Sequence, residues 1–379
     1  MEKKKVLFVA TVVKTHLMQF HLPYLKMFHD MGWETAVAAK NDYEDPEECQ
    51  IPDCDRYFDI PFHRSPMNID NITAYQMLKK IIDEEHYDLI HCHTPVGATI
   101  ARLAARKARR KGTRVIYTAH GFHFFSGAPM KNWLLYYPAE WLMSFLTDDL
   151  ITINKEDFDR AKKHMHPKHL QYVPGVGINR SKFVITAAQR QEKRRELGFG
   201  DEDFLILTVA EMTKNKNHIT ILNALAAMKD MPEFSHIHYL LCGRGEQWDP
   251  LEEAAEDLGL SGHVHFLGYR TDVWSLYGAC DLFAFMTYRE GLPVSLMEAM
   301  AAGMAIVCTR VRGNVDLIED GVSGVFVEND PQALEKQILA LYWDPEKRSD
   351  LGAGAMEGVK PFGEETVHKK MREIYGTSE

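Results

Sequence analysis

Two glutamates, Glu290 and Glu298, flank seven residues in the run Glu290-Gly-Leu-Pro-Val-Ser-Leu-Met-Glu298-Ala-Met-Ala-Ala-Gly303. A carboxylate accepts hydrogen bonds and donates none, so both suit the hydroxyls of a hexose and a ribose. The preceding run, Asp281-Leu-Phe-Ala-Phe-Met, is short, apolar and aromatic, as a buried parallel strand is. Pro293 fits a first helical turn and Gly303 a helix stop. Glu290 is therefore expected on a strand-to-helix loop and Glu298 inside the helix. Free N–H groups and the positive dipole end at residues 291 to 295 favour a phosphate or an electron-rich sugar oxygen. On spacing alone, a solvated loop residue and a water-facing helix residue remain equally open.

The elements that must position these groups alternate strand and helix almost throughout, which favours parallel sheets covered on both faces. Strands are predicted near 5–10, 34–39, 87–92, 114–119 and 149–153, with helices near 17–30, 71–85, 96–111 and 132–146. In the second half, apolar runs at Phe204, His238, His263, Asp281 and Ala305 begin strands separated by helices. A polar helical stretch from Ile185, followed by Gly198, Gly200 and three acidic residues, reads as a domain boundary. A chain of 379 residues suits two domains of ordinary size.

Composition narrows the class. With 45% hydrophobic and 26% charged residues the chain reads as a soluble globular protein. No apolar run is long enough for a transmembrane helix. The start, Met-Glu-Lys-Lys-Lys, runs directly into a strand without a secretory apolar segment, so a cytoplasmic location is expected. Six cysteines in so long a chain make no disulfide framework. His91 and His93 share one face of a strand while Cys92 points to the other, so no ready metal chelate is predicted. A dinucleotide oxidoreductase would need Gly-x-Gly-x-x-Gly after its first strand; Val6 to His16 contains no glycine, and Gly243-Arg244-Gly245 lacks the third.

The two glutamates, with Gly-x-Pro after the first and Glu-Ala-x-Ala-x-Gly at the second, resemble the donor-site motif of family-4 retaining glycosyltransferases of the GT-B fold. The resemblance covers nearly the whole chain. It implies an α/β protein of two Rossmann-like, doubly wound parallel-sheet domains facing a cleft. Residues 1–180 with 361–379 would form the acceptor-side domain, 181–203 a linker and 204–360 the donor domain. By resemblance, Glu290 and the Gly291-Leu292-Pro293 backbone hold the donor sugar and Glu298 the ribose. Thr208 to His218 matches the loop cradling the diphosphate, with Lys216 at the lysine that clamps it. Glu211 stands where most relatives carry arginine, so Lys214 or Arg244 is expected to supply the missing charge. Gly243-Arg244-Gly245 corresponds to a turn lining the nucleotide pocket, and Gly268-Tyr269-Arg270 to a loop whose backbone reads the base. Thr118-Ala-His120-Gly121 resembles the acceptor-domain loop whose histidine lies near the transferred sugar. His16 and His123 are further candidates for that cleft, and His21 is expected to pack within a helix.

The implied reaction moves a hexosyl or N-acetylhexosaminyl group from a nucleoside diphosphate sugar, UDP-linked on this reading, to a saccharide acceptor with retention. His120, Glu290 and Lys216 are the catalytic candidates, and no side chain of the motif is an evident nucleophile. Positioning and charge stabilisation on the departing diphosphate would carry catalysis, without divalent metal and with no cofactor beyond the nucleotide sugar. A GT-B sugar-nucleotide epimerase and a non-catalytic nucleotide-sugar module are the alternatives. Residues 1–190 carry 26 Lys+Arg against 22 Asp+Glu, residues 191–379 carry 18 against 32. The basic run Arg102, Arg106, Lys107, Arg109, Arg110, Lys111 and Arg114, with the aromatic stretch from Trp133 to Phe145, points to an anionic membrane surface and a polyprenyl-diphosphate-linked acceptor at the inner face of the cell membrane. Nothing in the sequence suggests a nucleic-acid partner.

Overall fold

Lys5–Val12 (β1) is apolar on both faces because it lies near the middle of a parallel sheet: Val6 to Ala10 are completely buried. Six further strands join it, Glu34–Lys40 (β2), Arg56–Asp59 (β3), Leu89–His93 (β4), Arg114–Ala119 (β5), Asp149–Thr152 (β6) and His169–Tyr172 (β7). Their order is β3-β2-β1-β4-β5-β6-β7, every pair parallel. The second sheet contains Phe204–Val209 (β8), Ile237–Cys242 (β9), Val264–Gly268 (β10), Leu282–Phe285 (β11), Ala305–Thr309 (β12) and Val325–Val327 (β13), in the order β10-β9-β8-β11-β12-β13. This computed structural model describes residues 3–377 and divides into two units, Met1–Val173 and Pro174–Glu379.

Both sheets are the parallel, helix-connected kind that the sequence predicts. The strands it misses, β3, β7 and β13, are the short edge strands, half-exposed and without a fully apolar run. Each sheet reverses its winding once, between β1 and β4 and between β8 and β11. In open parallel sheets the loops leaving the carboxyl ends of such a strand pair diverge, which makes the switch point the usual ligand position.

Two segments at the expected boundaries fall within the second unit. Residues 181–203, expected as a linker, are built into the second unit. Helix Ala187–Leu197 opens with a capping box in which Thr186 and Gln189 satisfy each other's backbone. Its polar sequence hides two anchors. Arg194, 2% exposed, donates to the carbonyls of Gly200 and Ala279, and Arg190 donates to Asp281. Residues 361–379, expected with the first domain, fall in the second unit through described residues to 377. Ile178 bridges Gly363, and the Glu364 N–H donates to the Ile178 carbonyl.

In the first unit the predicted basic run is divided by function. Arg102 is buried and donates to Glu140 at 2.9 Å and to the Ala98 carbonyl, with its guanidinium 4.0 Å from the Tyr117 ring centre. Tyr117 donates to the other Glu140 oxygen at 3.1 Å. Arg109 and Arg114 bind Asp148 and Asp149. Only Arg106, Lys107, Arg110 and Lys111 of that run are exposed. Glu140 lies on helix Met130–Ser144, so the buried pair fastens that helix to Pro95–Ala104.

Candidate active site

Lys216 and Glu290 meet at the switch point of the second sheet. The loop after β8 carries Lys216, and the loop after β11 carries Glu290. Lys216 Nζ donates to Glu290 Oε1 at 2.7 Å, and the Thr287 hydroxyl donates to the same oxygen at 2.7 Å. Lys216 also lies over the Phe285 ring, 5.0 Å from its centre. An ammonium has three donors, so Lys216 can keep Glu290 and still address a phosphate.

The two loops are sewn together by residues the sequence did not single out. The Tyr288 N–H donates to the Asn215 carbonyl, Asn215 Nδ2 donates to the Arg289 carbonyl, and Thr309 donates to the Thr287 carbonyl. Asn217 holds a left-handed conformation, φ 52°, one that asparagine tolerates better than most residues, and its amide reaches the Met286 carbonyl. Gly313 fixes the far side: a Cβ there would lie 2.7 Å from the Gly291 carbonyl oxygen.

Helix Val294–Ala301 starts one residue later than predicted. Pro293 is its N-cap, with extended backbone and no side-chain cap, so the first-turn N–H groups remain available. Leu292 is buried, which leaves the 291–293 segment to act through its backbone. Glu298 faces inward, accepting from Tyr277 at 2.9 Å. Burial raises its pKa above the ordinary carboxyl value. A mostly buried acceptor of this kind is a poor fit to the water-facing alternative.

The remaining donor-side candidates separate. Gly243 and Gly245 are required by packing, since Cβ atoms there would lie 1.9 Å from the Ala210 carbonyl oxygen and 2.4 Å from that of Met212. They hold the loop after β9 against the loop after β8. Glu211, Lys214, Arg244 and Tyr269 are exposed. The Glu211 carboxylate therefore need not face a buried diphosphate. Arg270 is committed to Asp272, with bonds of 2.8 and 2.6 Å, and to Glu196. Those bonds hold the Asp272 carboxyl below the usual range. Its guanidinium is a brace, and Tyr269-Arg270 offers a ligand chiefly main chain.

In the first unit, His120 follows β5 and His16 lies in a π-helical turn, Val13–Leu17, directly after β1. Their ring centres are 4.8 Å apart. Thr94, after β4, has the unusual backbone φ 63°, ψ 145°, and shares hydrogen bonds with Thr11. A cavity lined by Thr15, His16, Arg64, Thr94, His123 and Tyr136 opens beside these residues. His123 packs on Tyr136, ring centres 4.5 Å apart. His21 is buried as expected, yet it caps the next helix and stacks on His93 at 3.6 Å. The strand argument placed His91 and His93 on one face but could not show that His93 meets histidines from two other segments.

Two family models match the chain: "Glycosyl transferase 4-like" over residues 5–154 and "Glycosyl transferases group 1" over residues 189–357. EpsD of Bacillus subtilis (strain 168), whose name assigns it to the glycosyltransferases, is 41% identical over 375 residues, 98% of this chain and 96% of that protein. An Escherichia coli UDP-Gal:alpha-D-GlcNAc-diphosphoundecaprenol alpha-1,3-galactosyltransferase is 26% identical over 260 residues, 68% of this chain and 65% of that one. Among solved structures, Anabaena HepE in complex with UDP and glucose superposes with a TM-score of 0.81 at 19% identity, covering 99% of this chain and 100% of that one. These matches, with the paired parallel sheets, place the chain among the family-4 glycosyltransferases of the GT-B fold.

Proposed function

We propose that this glycosyltransferase moves a hexosyl or N-acetylhexosaminyl group from a UDP-sugar to a lipid-linked saccharide, with retention at the anomeric carbon. The observation that carries the reading is the Lys216–Glu290–Thr287 cluster at the switch point. Lys216 balances the diphosphate, and the backbone of 291–293 and Glu290 orient the sugar. Glu290 is held by two donors, which suits a hydrogen-bond acceptor better than a nucleophile. The acceptor hydroxyl then attacks on the face the diphosphate leaves, and a departing phosphate oxygen takes its proton. His120, its pKa lowered to about 4 by burial, is a neutral imidazole at pH 7 and can bond a sugar hydroxyl without adding charge.

Support for UDP and for a lipid-linked acceptor comes from the names of the Escherichia coli relative and of HepE with its ligands. Two cavities of the first unit add to it. The polar one, with Arg64 and His16, shares Pro95, Val96 and Tyr136 with a second lined by Ile100, Leu135 and Ala139. A cation beside an apolar slot suits a diphosphate joined to a hydrocarbon. A donor screen by mass spectrometry, offering UDP and GDP sugars with lipid-linked saccharides, tests the whole reading. Conversion of the nucleotide sugar with no acceptor present would indicate an epimerase, and binding without turnover a non-catalytic module.

Glu298→Ala is expected to weaken UDP itself by about 1.5–3 kcal/mol, or about 10- to 150-fold, the range for hydrogen bonds to a charged group. Glu290→Gln should leave UDP affinity nearly intact and reduce turnover of the full donor. Calorimetry with UDP decides; equal losses in the two variants would end this division of roles. Because Lys216 and the helix start meet the phosphate charge, rates measured with and without added Mg2+ or Mn2+ should agree. A rate that appears only with either ion would move Glu211 into a metal site.

Peripheral membrane binding is proposed on the outward face of helix Met130–Ser144 and the residue that follows it. Met130, Leu134, Leu135, Trp141, Leu142 and Phe145 are exposed along it, at helical spacing. Among the described residues no helix is long and apolar enough to cross a membrane. With Arg106, Lys107, Arg110 and Lys111 also exposed, the chain should float with anionic liposomes at low salt and be released at high salt. Arg106→Glu with Arg110→Glu should abolish recovery. A wild-type chain that never floats would favour a soluble acceptor.

A further inference from the structure

Four imidazoles from three segments of the first unit converge where β1, β4 and β5 end. His16 comes from the π-helical turn, His21 from the cap of the next helix, His93 from the last position of β4 and His120 from the loop after β5. One ligand atom from each lies within 4.8 Å of those of the other three. His16 Nε2 and His21 Nε2 are 3.3 Å apart. That is long for a hydrogen bond, and it matches the edge of about 3.3 Å that metal–nitrogen bonds of about 2.0–2.1 Å give a tetrahedron.

The same spacing joins His265 and His238 in the second unit, so distance alone decides nothing. What separates the first-unit group is the set of atoms around it. His21 Nδ1, both ring nitrogens of His93 and His120 Nε2 are buried and meet no hydrogen-bond partner. Buried polar atoms are otherwise nearly always bonded, and here three of the four rings each have at least one nitrogen without a partner. Burial also lowers the pKa of all four rings, leaving nitrogen lone pairs free at neutral pH. The rare π-helical turn that carries His16 and the unusual Thr94 backbone beside His93 are departures from regular geometry in two of the three segments.

We propose that His16, His21, His93 and His120 bind one divalent first-row transition ion, Zn2+, with the His21 ring turning out of its 3.6 Å stack on His93 so that both lone pairs reach the ion. Neutral imidazole selects Zn2+ and its neighbours over Mg2+ and Ca2+, which take oxygen ligands. The ion ties the turn after β1, the end of β4 and His120 into one rigid floor beside the cavity that His16 and Arg64 line. A ring bound through one nitrogen keeps the other for a hydrogen bond, so His120 can still meet a hydroxyl. The inference does not rest on the donor or acceptor identified above.

The 379-residue chain, produced with Zn2+ and passed over chelating resin, should carry about one zinc per chain by elemental analysis. The stripped protein should develop tetrahedral d–d absorption with Co2+ and lose it on adding Zn2+, and Zn2+ should raise its Tm. His16→Ala, at one of the two less buried of the four positions, should remove both the zinc and the Tm shift, whereas His265→Gln should keep them. Less than about a tenth of an equivalent in the wild type, or no d–d absorption on Co2+ addition, overturns the proposal. So does a His265→Gln chain that loses the ion as His16→Ala does.

Discussion

Lys216→Ala is expected to lower kcat by about 10²–10³-fold, the usual loss when one preorganised donor to a developing anion is removed. Three features of the site set that size. Lys216 is held in place before any ligand arrives, by Glu290 at 2.7 Å and by the Phe285 ring beneath it. Its loop cannot drift, because Asn215 and Asn217 bind it to the loop that carries Glu290. Its partner is only 10% exposed, so loss of the ammonium also leaves a poorly solvated carboxylate behind. The last point makes the two residues a unit. Glu290→Gln and Lys216→Ala should each be costly, and the double variant should lose much less than the product of the two. Single-turnover rates with a saturating UDP-sugar test this. Multiplicative losses would mean that sugar orientation and phosphate balance are separate tasks, and an unchanged rate in Lys216→Ala would remove the lysine from the mechanism.

The donor loops were legible because their chemistry is local: two carboxylates, a proline, a glycine stop and a lysine each sit at fixed offsets within one strand-loop-helix unit. Thr287 and Asn217 were not legible. A threonine after a strand has no signature, and its role appears only when the neighbouring loop lies against it. The histidine group escaped for the same reason, since period-two alternation relates His91 to His93 but says nothing of His16, His21 or His120. Glu211 shows the converse. A departure from the family pattern looked repulsive on paper, and the side chain is exposed. The helical stretch expected from Ile185 is the helix Ala187–Leu197, and Thr186 and Gln189 at capping-box spacing mark its start. Arg102 was misjudged as part of a charge run. Ala98 and Ala105, at helical offsets of four and three from it, are both buried, so helical periodicity already placed it on the inner face.

That inward arginine supports the largest stability effect expected. Arg102 is 1% exposed and Glu140 8%, and each is the other's charged partner in an otherwise apolar layer. Removing one member of a buried pair strands the other, at a cost of about 3–5 kcal/mol, whereas exchanging both for apolar residues of similar volume is often near neutral. Arg102→Ala should therefore destabilise the first unit by about that amount, and Arg102→Met with Glu140→Leu should recover most of the loss. Tyr117 makes recovery incomplete, since its hydroxyl donates to Glu140 and would be left buried without that acceptor. The Tyr117→Phe background removes this residue of the cost and should bring the double exchange closest to wild type. Urea unfolding must be followed by a probe in the first unit, such as hydrogen exchange over Pro95–Ala104, because two units need not unfold together. Losses that simply add in the double exchange would show that the charges do not act as a pair. The same pair anchors helix Met130–Ser144 from below while its outer face carries the exposed apolar stripe. A fixed helix presents that stripe as a continuous surface, so Arg102→Ala should weaken liposome recovery without touching any exposed charge, and the apolar double exchange should restore it.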